Sequence, residues 1–434
     1  MQDPRRRVPR TDALLADPRL ARSIDRLGRD RVKASIVAAQ DRCRRGELAP
    51  ESVVDAALDA LPASGTSMRR VINATGVIVH TNLGRAPLSH AAREAVAVAA
   101  GATDVEMDLE SARRGPRGRA AMDALRAAVP EAGDVHVVNN GAAALVLAAR
   151  ALAADGEIVV ARGEMVEIGD GFRIPELLES VGVRLREVGT TNRVRREDYA
   201  SAVNDRTGFV LKVHPSNFRV EGFTSSVAVS ALTGLGVPVV MDIGSGLLAP
   251  HPRLPEEPDA ASTLRAGADL VTASGDKLLG GPQCGLLLGD AALVHRLRRH
   301  PMARAVRVDK LTLAALEATL CGPPTPVAQA LARRPEELRQ RAETLAARLR
   351  EQVPGCDVDV RKSAGRVGGG GAPGVPLPSW TLTVPPQYAR ALRLGEPPVV
   401  GRVHDDRLEL DLLTVPEADD EALAQAVVRV VAAG

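Results

Sequence analysis

The sequence lacks the residue patterns that hold metals and disulfide frameworks. Its four cysteines, Cys43, Cys284, Cys321 and Cys356, are scattered, and no two form a CxxC pair. That argues against a zinc site and a disulfide-stapled scaffold, so no metal is expected and the thiols read as buried or idle. Long apolar runs are missing too. No stretch reaches the ~18 apolar residues that cross a bilayer. The opening residues, 1–10, are basic and lack the apolar segment of a secretory signal. A cytoplasmic protein with no membrane partner is the expectation. Lysine is also scarce: Lys33, Lys212, Lys277, Lys310 and Lys362 stand against 51 arginines. Where arginine is so favoured, a lysine in a special loop points to a need for an amine that can lose its proton.

Net charge is nearly absent as well, at +2 for 434 residues, so the whole chain does not read as a nucleic-acid binder. Its distribution is uneven. Residues 1–45 hold 13 Lys/Arg against six Asp, and the remainder is mildly acidic. A basic start on an acidic body suggests a polyanion contact at one end, although a solvated helical face would look the same.

The length predicts two or three domains. Leu14, Leu15, Leu20, Ile24 and Leu27 recur near helical spacing, as do Val32, Ile36 and Ala39. Residues 11–62 therefore read as a compact helical segment, with a linker at 62–67. Beyond residue 70, short apolar runs alternate with helical patterns. The runs are 135–138, 157–161, 183–188, 208–213, 237–241, 269–273 and 285–288; the helical stretches include 142–154 and 174–181. Buried strands alternating with helices predict an α/β domain with a largely parallel sheet. Residues 336–352 read as an amphipathic helix, 368–371 as a glycine loop, 380–384, 398–403 and 407–412 as short strands, and 417–432 as a closing helix. The expected domains are 1–69, 70–321 and a smaller α+β domain at 322–434.

Three motifs carry chemistry. Ala273-Ser274-Gly275-Asp276-Lys277-Leu278-Leu279-Gly280-Gly281 places a lysine after a strand and before a glycine pair. This setting suits a Schiff-base lysine beside a flat cofactor; a structural lysine paired with Asp276 is the alternative. Asp242 ends the run 237–241, where a carboxylate can keep a pyridinium nitrogen protonated or simply cap a turn. Asn139-Asn140-Gly141-Ala142 follows a strand and opens a helix, so Asn140, Gly141 and Ala142 can present N–H groups to a phosphate. The order strand–Asn-Gly–helix, strand–Asp, strand–Lys, with 35 residues from Asp242 to Lys277, fits a pyridoxal-phosphate enzyme of the aspartate-aminotransferase fold. Arg85, in a glycine turn, and Arg304 and Arg307, whose spacing predicts one helical face, can bind a phosphate-type anion or lie solvated on the surface.

Longer stretches resemble a known family. Asn73-Ala74-Thr75-Gly76-Val77 with His80-Thr81-Asn82-Leu83-Gly84-Arg85, the stretch from Arg162 to Gly169, Gly189-Thr190-Thr191-Asn192-Arg193, and Lys212-Val213-His214 with Ser216-Asn217 are similar to bacterial selenocysteine synthase, the L-seryl-tRNA(Sec) selenium transferases. So are the motifs around Asp242, Lys277 and 309–320. The resemblance implies a fold-type-I α/β enzyme that uses pyridoxal 5′-phosphate to convert seryl-tRNA(Sec) to selenocysteinyl-tRNA(Sec) with selenophosphate, by β-elimination and β-addition. It implies that Lys277 carries the cofactor, Asp242 holds its ring nitrogen, and Asn140, Gly141 and Ala142 hold its phosphate. Asp276 would assist catalysis, and Arg85, Arg304 and Arg307 would bind selenophosphate. The basic N-terminal segment would grip tRNA, and the assembly would be a homodecamer built from dimers, with no DNA partner. The stretch 104–109 lacks the tyrosine associated with it in the family. His214 and Glu164 are both open as the group stacked on the cofactor. A small-molecule lyase of the same fold, without a basic N-terminal domain, and a catalytically silent RNA-binding relative are the rival readings.

Overall fold

The computed structural model describes residues 8–62, 64–169 and 171–433. Residues 1–7, with the first three arginines of the basic segment and most of the opening 1–10 expected to lack a secretory signal, lie outside the described residues. The chain divides into two compact units, Met1–Val71 with Glu396–Pro398, and Ile72–Gly395 with Val399–Gly434.

The first unit is helical. Thr11–Leu15, Pro18–Leu27, Arg29–Arg44 and Val53–Asp59 are α-helices. Asp17 caps the second by accepting from the Arg19 N–H at 2.9 Å, with Pro18 at the first position, where its missing N–H costs nothing. Gly28, at φ +85, turns the chain into the third helix. Leu20, Val32, Ile36, Val53 and Ala57 are fully buried in a core of this unit's own residues. Arg22, Arg26, Arg29, Arg31, Lys33 and Arg42 are exposed, so the positive charge expected from composition is solvated.

The second unit is built on a seven-stranded sheet in the order Asp134–Val138, Gly285–Gly289, Leu270–Ser274, Val239–Gly244, Thr207–Val213, Glu157–Ala161, Arg184–Val188. All are parallel except Gly285–Gly289, which is antiparallel to both its neighbours. Helices cover both faces. Gly141–Leu152 and Ala291–Arg299 pack Leu147, Ala148, Val294 and Leu297 on one side; Arg119–Ala128 and Lys310–Cys321 pack Leu125, Leu313 and Leu316 on the other. A sheet covered on both faces has no polar side, which is why its inner strands read as apolar runs; the edge strand Arg184–Val188, read as one more such run, instead carries two arginines and a glutamate and is largely exposed. This is the α/β arrangement expected from the sequence.

A five-stranded sheet follows the order Arg402–His404, Arg407–Asp411, Leu377–Val384, Asp359–Gly368, Val77–Val79. Helices Pro335–Gln352 and Asp420–Ala433 bury Leu338, Leu345, Leu349 and Val427 with Leu382 and Leu410. Two features depart from the pattern read above. Asp359–Gly368 is a strand, and the stretch 398–403 is two short strands, Val399–Val400 and Arg402–His404, in different sheets. Val77–Val79 runs parallel to Asp359–Gly368, with Gly368 opposite Val79. That pairing sets the turn around Arg85 and the glycine run 368–371 at adjoining strand ends.

Candidate active site

The chemistry-bearing residues gather at the C-terminal edge of the seven-stranded sheet, where side chains from successive parallel strands converge. Asp242 pairs with Thr272 and Val213 across the sheet, and Lys277 follows the next strand by three residues. Both are buried, at 7% and 8% exposure. Asp242 accepts from the Thr272 hydroxyl at 2.7 Å, yet burial still pushes its carboxyl above the ordinary range. Burial likewise lowers the Lys277 amine, with the nearby Asp242 carboxylate opposing that shift.

Asp276 is bonded to Arg85: Arg85 Nη1 donates to Asp276 Oδ2 at 2.7 Å. Asp276 Oδ1 is buried without a partner among the described residues. Arg85 adopts φ +65, a conformation rare for a residue with a side chain. Main-chain bonds hold it there, from Arg85 N–H to His80 O at 3.0 Å and from Ala86 N–H to Asp276 O at 3.2 Å.

Asn140 caps the helix Gly141–Leu152, its Oδ1 accepting from the Ala143 N–H at 2.8 Å. The Gly141 and Ala142 N–H groups have no recorded acceptor among the described residues. A Cβ on Gly141 would lie 2.7 Å from Ser274 Oγ, so glycine lets that hydroxyl approach the turn. On the other side, a Cβ on Gly370 would lie 2.4 Å from Lys277 Cδ. The glycine run therefore lies directly against the lysine side chain.

These features fit pyridoxal phosphate. The free N–H groups and the Ser274 hydroxyl suit its phosphate, and the glycines leave room for a flat ring. A protonated ring nitrogen would supply the cation that buried Asp242 lacks.

Arg304 and Arg307 lie elsewhere. The helix Met302–Ala305 is one turn long and ends before Arg307, so the two do not share the expected helical face. Arg307 forms a bridge with Val138, outside the strand order Ser274–Gly285–Val138. Three strand spacings put its backbone roughly 14 Å from Ser274. Its side chain lies 3.7 Å from Glu106, which also pairs with Arg114 and Arg117. Thus the stretch 104–109 holds an arginine cluster through Glu106. Arg85 joins the Lys277 site, while no contact among the described residues links Arg304 or Arg307 to it.

A cavity of about 450 Å³ opens beside the site, walled by Glu164, His214, Glu257, Arg193, Phe218 and Ala372. Glu164 is committed elsewhere: it is ion-paired with buried Lys212 and accepts from the Val213 N–H at 3.1 Å. His214 is lowered to about 4 by burial, and its Nδ1 has no partner among the described residues. Glu257, absent from the sequence-based candidates, accepts from the Ala372 N–H at 2.6 Å and lies 3.9 Å from His214. It sits in an unremarkable loop, and only the contact across 115 positions marks it.

Residues 71–416 match the model of the L-seryl-tRNA selenium transferase family, and residues 5–44 match the selenocysteine synthase N-terminal model. The L-seryl-tRNA(Sec) selenium transferase of Carboxydothermus hydrogenoformans is 39% identical over 444 residues, covering 95% of each chain. That of Moorella thermoacetica is 45% identical over 389 residues, covering 85% of this chain and 83% of its own. Among solved structures, D-glucosaminate-6-phosphate ammonia-lyase superposes with a TM-score of 0.59 at 20% identity, over 84% of this chain and 96% of the other, a likeness of fold alone. The chain belongs to the L-seryl-tRNA selenium transferase family.

Proposed function

We propose that this chain converts L-seryl-tRNA(Sec) to L-selenocysteinyl-tRNA(Sec), using selenophosphate and pyridoxal phosphate. The carrying observation is the buried Lys277 at a strand end, flanked by Asp242 and the Arg85–Asp276 pair, in a chain of this family. In this reading Asn140, Gly141 and Ala142 hold the cofactor phosphate and Asp242 keeps the ring nitrogen protonated. When bound, the cofactor would draw electrons from the serine Cα, so that the β-hydroxyl can leave as water and the selenium of selenophosphate can add at Cβ, with water cleaving the Se–P bond to release phosphate. Lys277 Nζ, its proton affinity lowered by burial, takes the Cα proton. Asp276 fixes Arg85, and Arg85 binds the phosphate of selenophosphate. Arg304 and Arg307 complete that anion site from a partner protomer, in a homodecamer built from dimers.

In the same reading the chain works in three parts: residues 1–69 hold tRNA, 70–321 carry the chemistry, and 322–434 close the site with the glycine run. The match of residues 5–44 to the family's N-terminal model supports a tRNA substrate over a small phosphorylated one. The test is conversion of seryl-tRNA(Sec) with selenophosphate, with seryl-tRNA(Ser) as control. Turnover of the first and not the second is expected; turnover of neither overturns the reading.

A further inference from the structure

The cavity beside Lys277 has a wall that the proposed reaction leaves without a role. We propose that it binds the 3′-terminal adenosine of the aminoacyl-tRNA, with Phe218 and Arg193 as stacking surfaces. This rests on the proposed reaction and adds the subsite that the end of the substrate requires. The serine is esterified to the terminal ribose, so only a few bonds separate its Cα from that sugar. When Cα sits at Lys277, the ribose must occupy adjoining space.

The cavity adjoins the lysine from two sides. A Cβ placed on Gly244 would lie 3.8 Å from Lys277 Nζ and 3.9 Å from Ser216 Cβ, and the wall continues through His214 and Pro215. Opposite, Gly370 packs on Lys277, and Ala372 and Pro373 line the cavity. Its volume, about 450 Å³, is in the range of pockets that take whole small ligands.

The chemistry of the outer wall suits a nucleobase. The chain has four phenylalanines, and two of them, Phe218 and Phe223, lie on the loop 214–228 that follows the strand Thr207–Val213, with 38% and 77% exposure. Phe218 lines the cavity, and Phe223 holds the Arg193 guanidinium 4.2 Å from its ring centre. The arrangement is braced. Asn192 Nδ2 donates to Phe223 O at 2.6 Å, the Ser225 N–H to Asn192 O at 3.0 Å, and the Val194 N–H to Ser225 O at 3.0 Å. Aromatic and guanidinium planes of this kind are what unpaired bases stack on. Arg219 is paired with Glu256 at 3.0 Å, whereas Arg193 has no carboxylate partner among the described residues, which leaves its charge for the backbone phosphate.

At the deep end, Glu257 Oε1 and His214 Nδ1 face each other at 3.9 Å, both buried and neither with a hydrogen-bond partner among the described residues. The Glu257 side chain is only 1% exposed. A ribose hydroxyl donates and accepts at once, and so can serve both atoms.

The probe is the trinucleotide cytidylyl-cytidylyl-adenosine, titrated by equilibrium dialysis against the holoenzyme and its Phe218→Ala, Phe218→Trp and Arg193→Ala variants. Wild type and Phe218→Trp should bind it, with adenosine monophosphate competing and inorganic phosphate not. Each alanine variant should bind roughly 10-fold more weakly. With seryl-tRNA(Sec), the alanine variants should raise KM by a similar factor, with kcat and the cofactor absorbance near those of wild type. Equal trinucleotide affinity in all forms, or none in wild type, overturns the proposal. So does a change in sedimentation on Phe218→Ala without loss of nucleotide affinity, which would mean that the loop covers a second copy of the chain. If wild type binds the trinucleotide but leaves seryl-tRNA(Sec) unconverted, the subsite stands and the proposed reaction fails.

Discussion

Arg85 and Asp276, 191 positions apart, meet at 2.7 Å beside the Lys277 side chain. The contact fixes an arginine at φ +65 next to the buried Lys277. A guanidinium held in this way presents its remaining N–H groups as a rigid fork, which suits a tetrahedral oxyanion better than a mobile ammonium does. Arg85→Ala should lower kcat/KM for selenophosphate about 10-fold or more and leave the cofactor absorbance and tRNA affinity intact. Arg85→Lys should recover only part of the loss. Unchanged selenophosphate kinetics in Arg85→Ala would remove Arg85 from the anion site.

The Glu164–Lys212 pair joins the ends of two neighbouring strands, with side chains 13% and 7% exposed. Removing one member of a buried pair strands the other charge, at a cost of roughly 3–5 kcal/mol. Glu164→Gln and Lys212→Met should each lower the denaturation midpoint strongly. The double variant should be more stable than the sum of the two losses implies. Strict additivity in denaturant titrations would show that the pair is not coupled.

Two buried histidines should contribute to acid sensitivity. Burial lowers both His136 and His214 from 6.5 to about 4. A depressed histidine gives stability that is fully present above the unfolded value and is lost as pH falls toward the folded one. The contribution of these two rings to stability should therefore fall between pH 6.5 and 4, against the opposite contribution of the buried carboxyls Glu164, Asp242 and Glu257, which burial raises. His136→Gln/His214→Gln should show a shallower fall over that window in urea titrations at stepped pH. Parallel profiles would mean that the two rings titrate alike in the folded and unfolded states.

The fold was legible where a strand is buried on both faces. The runs read at 157–161 and 285–288 coincide with strands to within a residue because nothing polar interrupts them. Asp359–Gly368 was missed because it is half exposed and carries arginine, lysine and serine along its length. Val77–Val79 takes its place from a partner almost 290 positions away, and no local pattern encodes that pairing. The site divides in the same way. Asn140, Asp242 and Lys277 each stand at a strand end and could be read from their neighbours. Glu257, the contact of Gly370 with Lys277, and the Glu106 cluster around Arg307 depend on segments that only folding brings together. The helical face expected for Arg304 and Arg307 failed because the helix stops after one turn.

Residues 1–61 should be separable from the chemistry. Their core is made of their own side chains, and no candidate site residue precedes Arg85. Deleting them should leave a folded protein that still takes up the cofactor and loses most of its affinity for seryl-tRNA(Sec). For full-length protein that affinity should drop steeply with salt, because arginine–phosphate contacts release counterions. Filter binding at two salt concentrations reads both effects. Equal affinity with and without the segment would make its charge a solvated surface only.

The central claim is that Lys277 carries the cofactor, and the chain's five lysines make this directly measurable. Holoenzyme reduced with borohydride, digested and mapped by mass spectrometry should carry the reduced pyridoxyl group on the peptide containing Lys277 alone. Lys277→Ala should fold, carry no such group and lack turnover. A pyridoxyl group on Lys212 or Lys310, or one that persists in Lys277→Ala, would contradict the account.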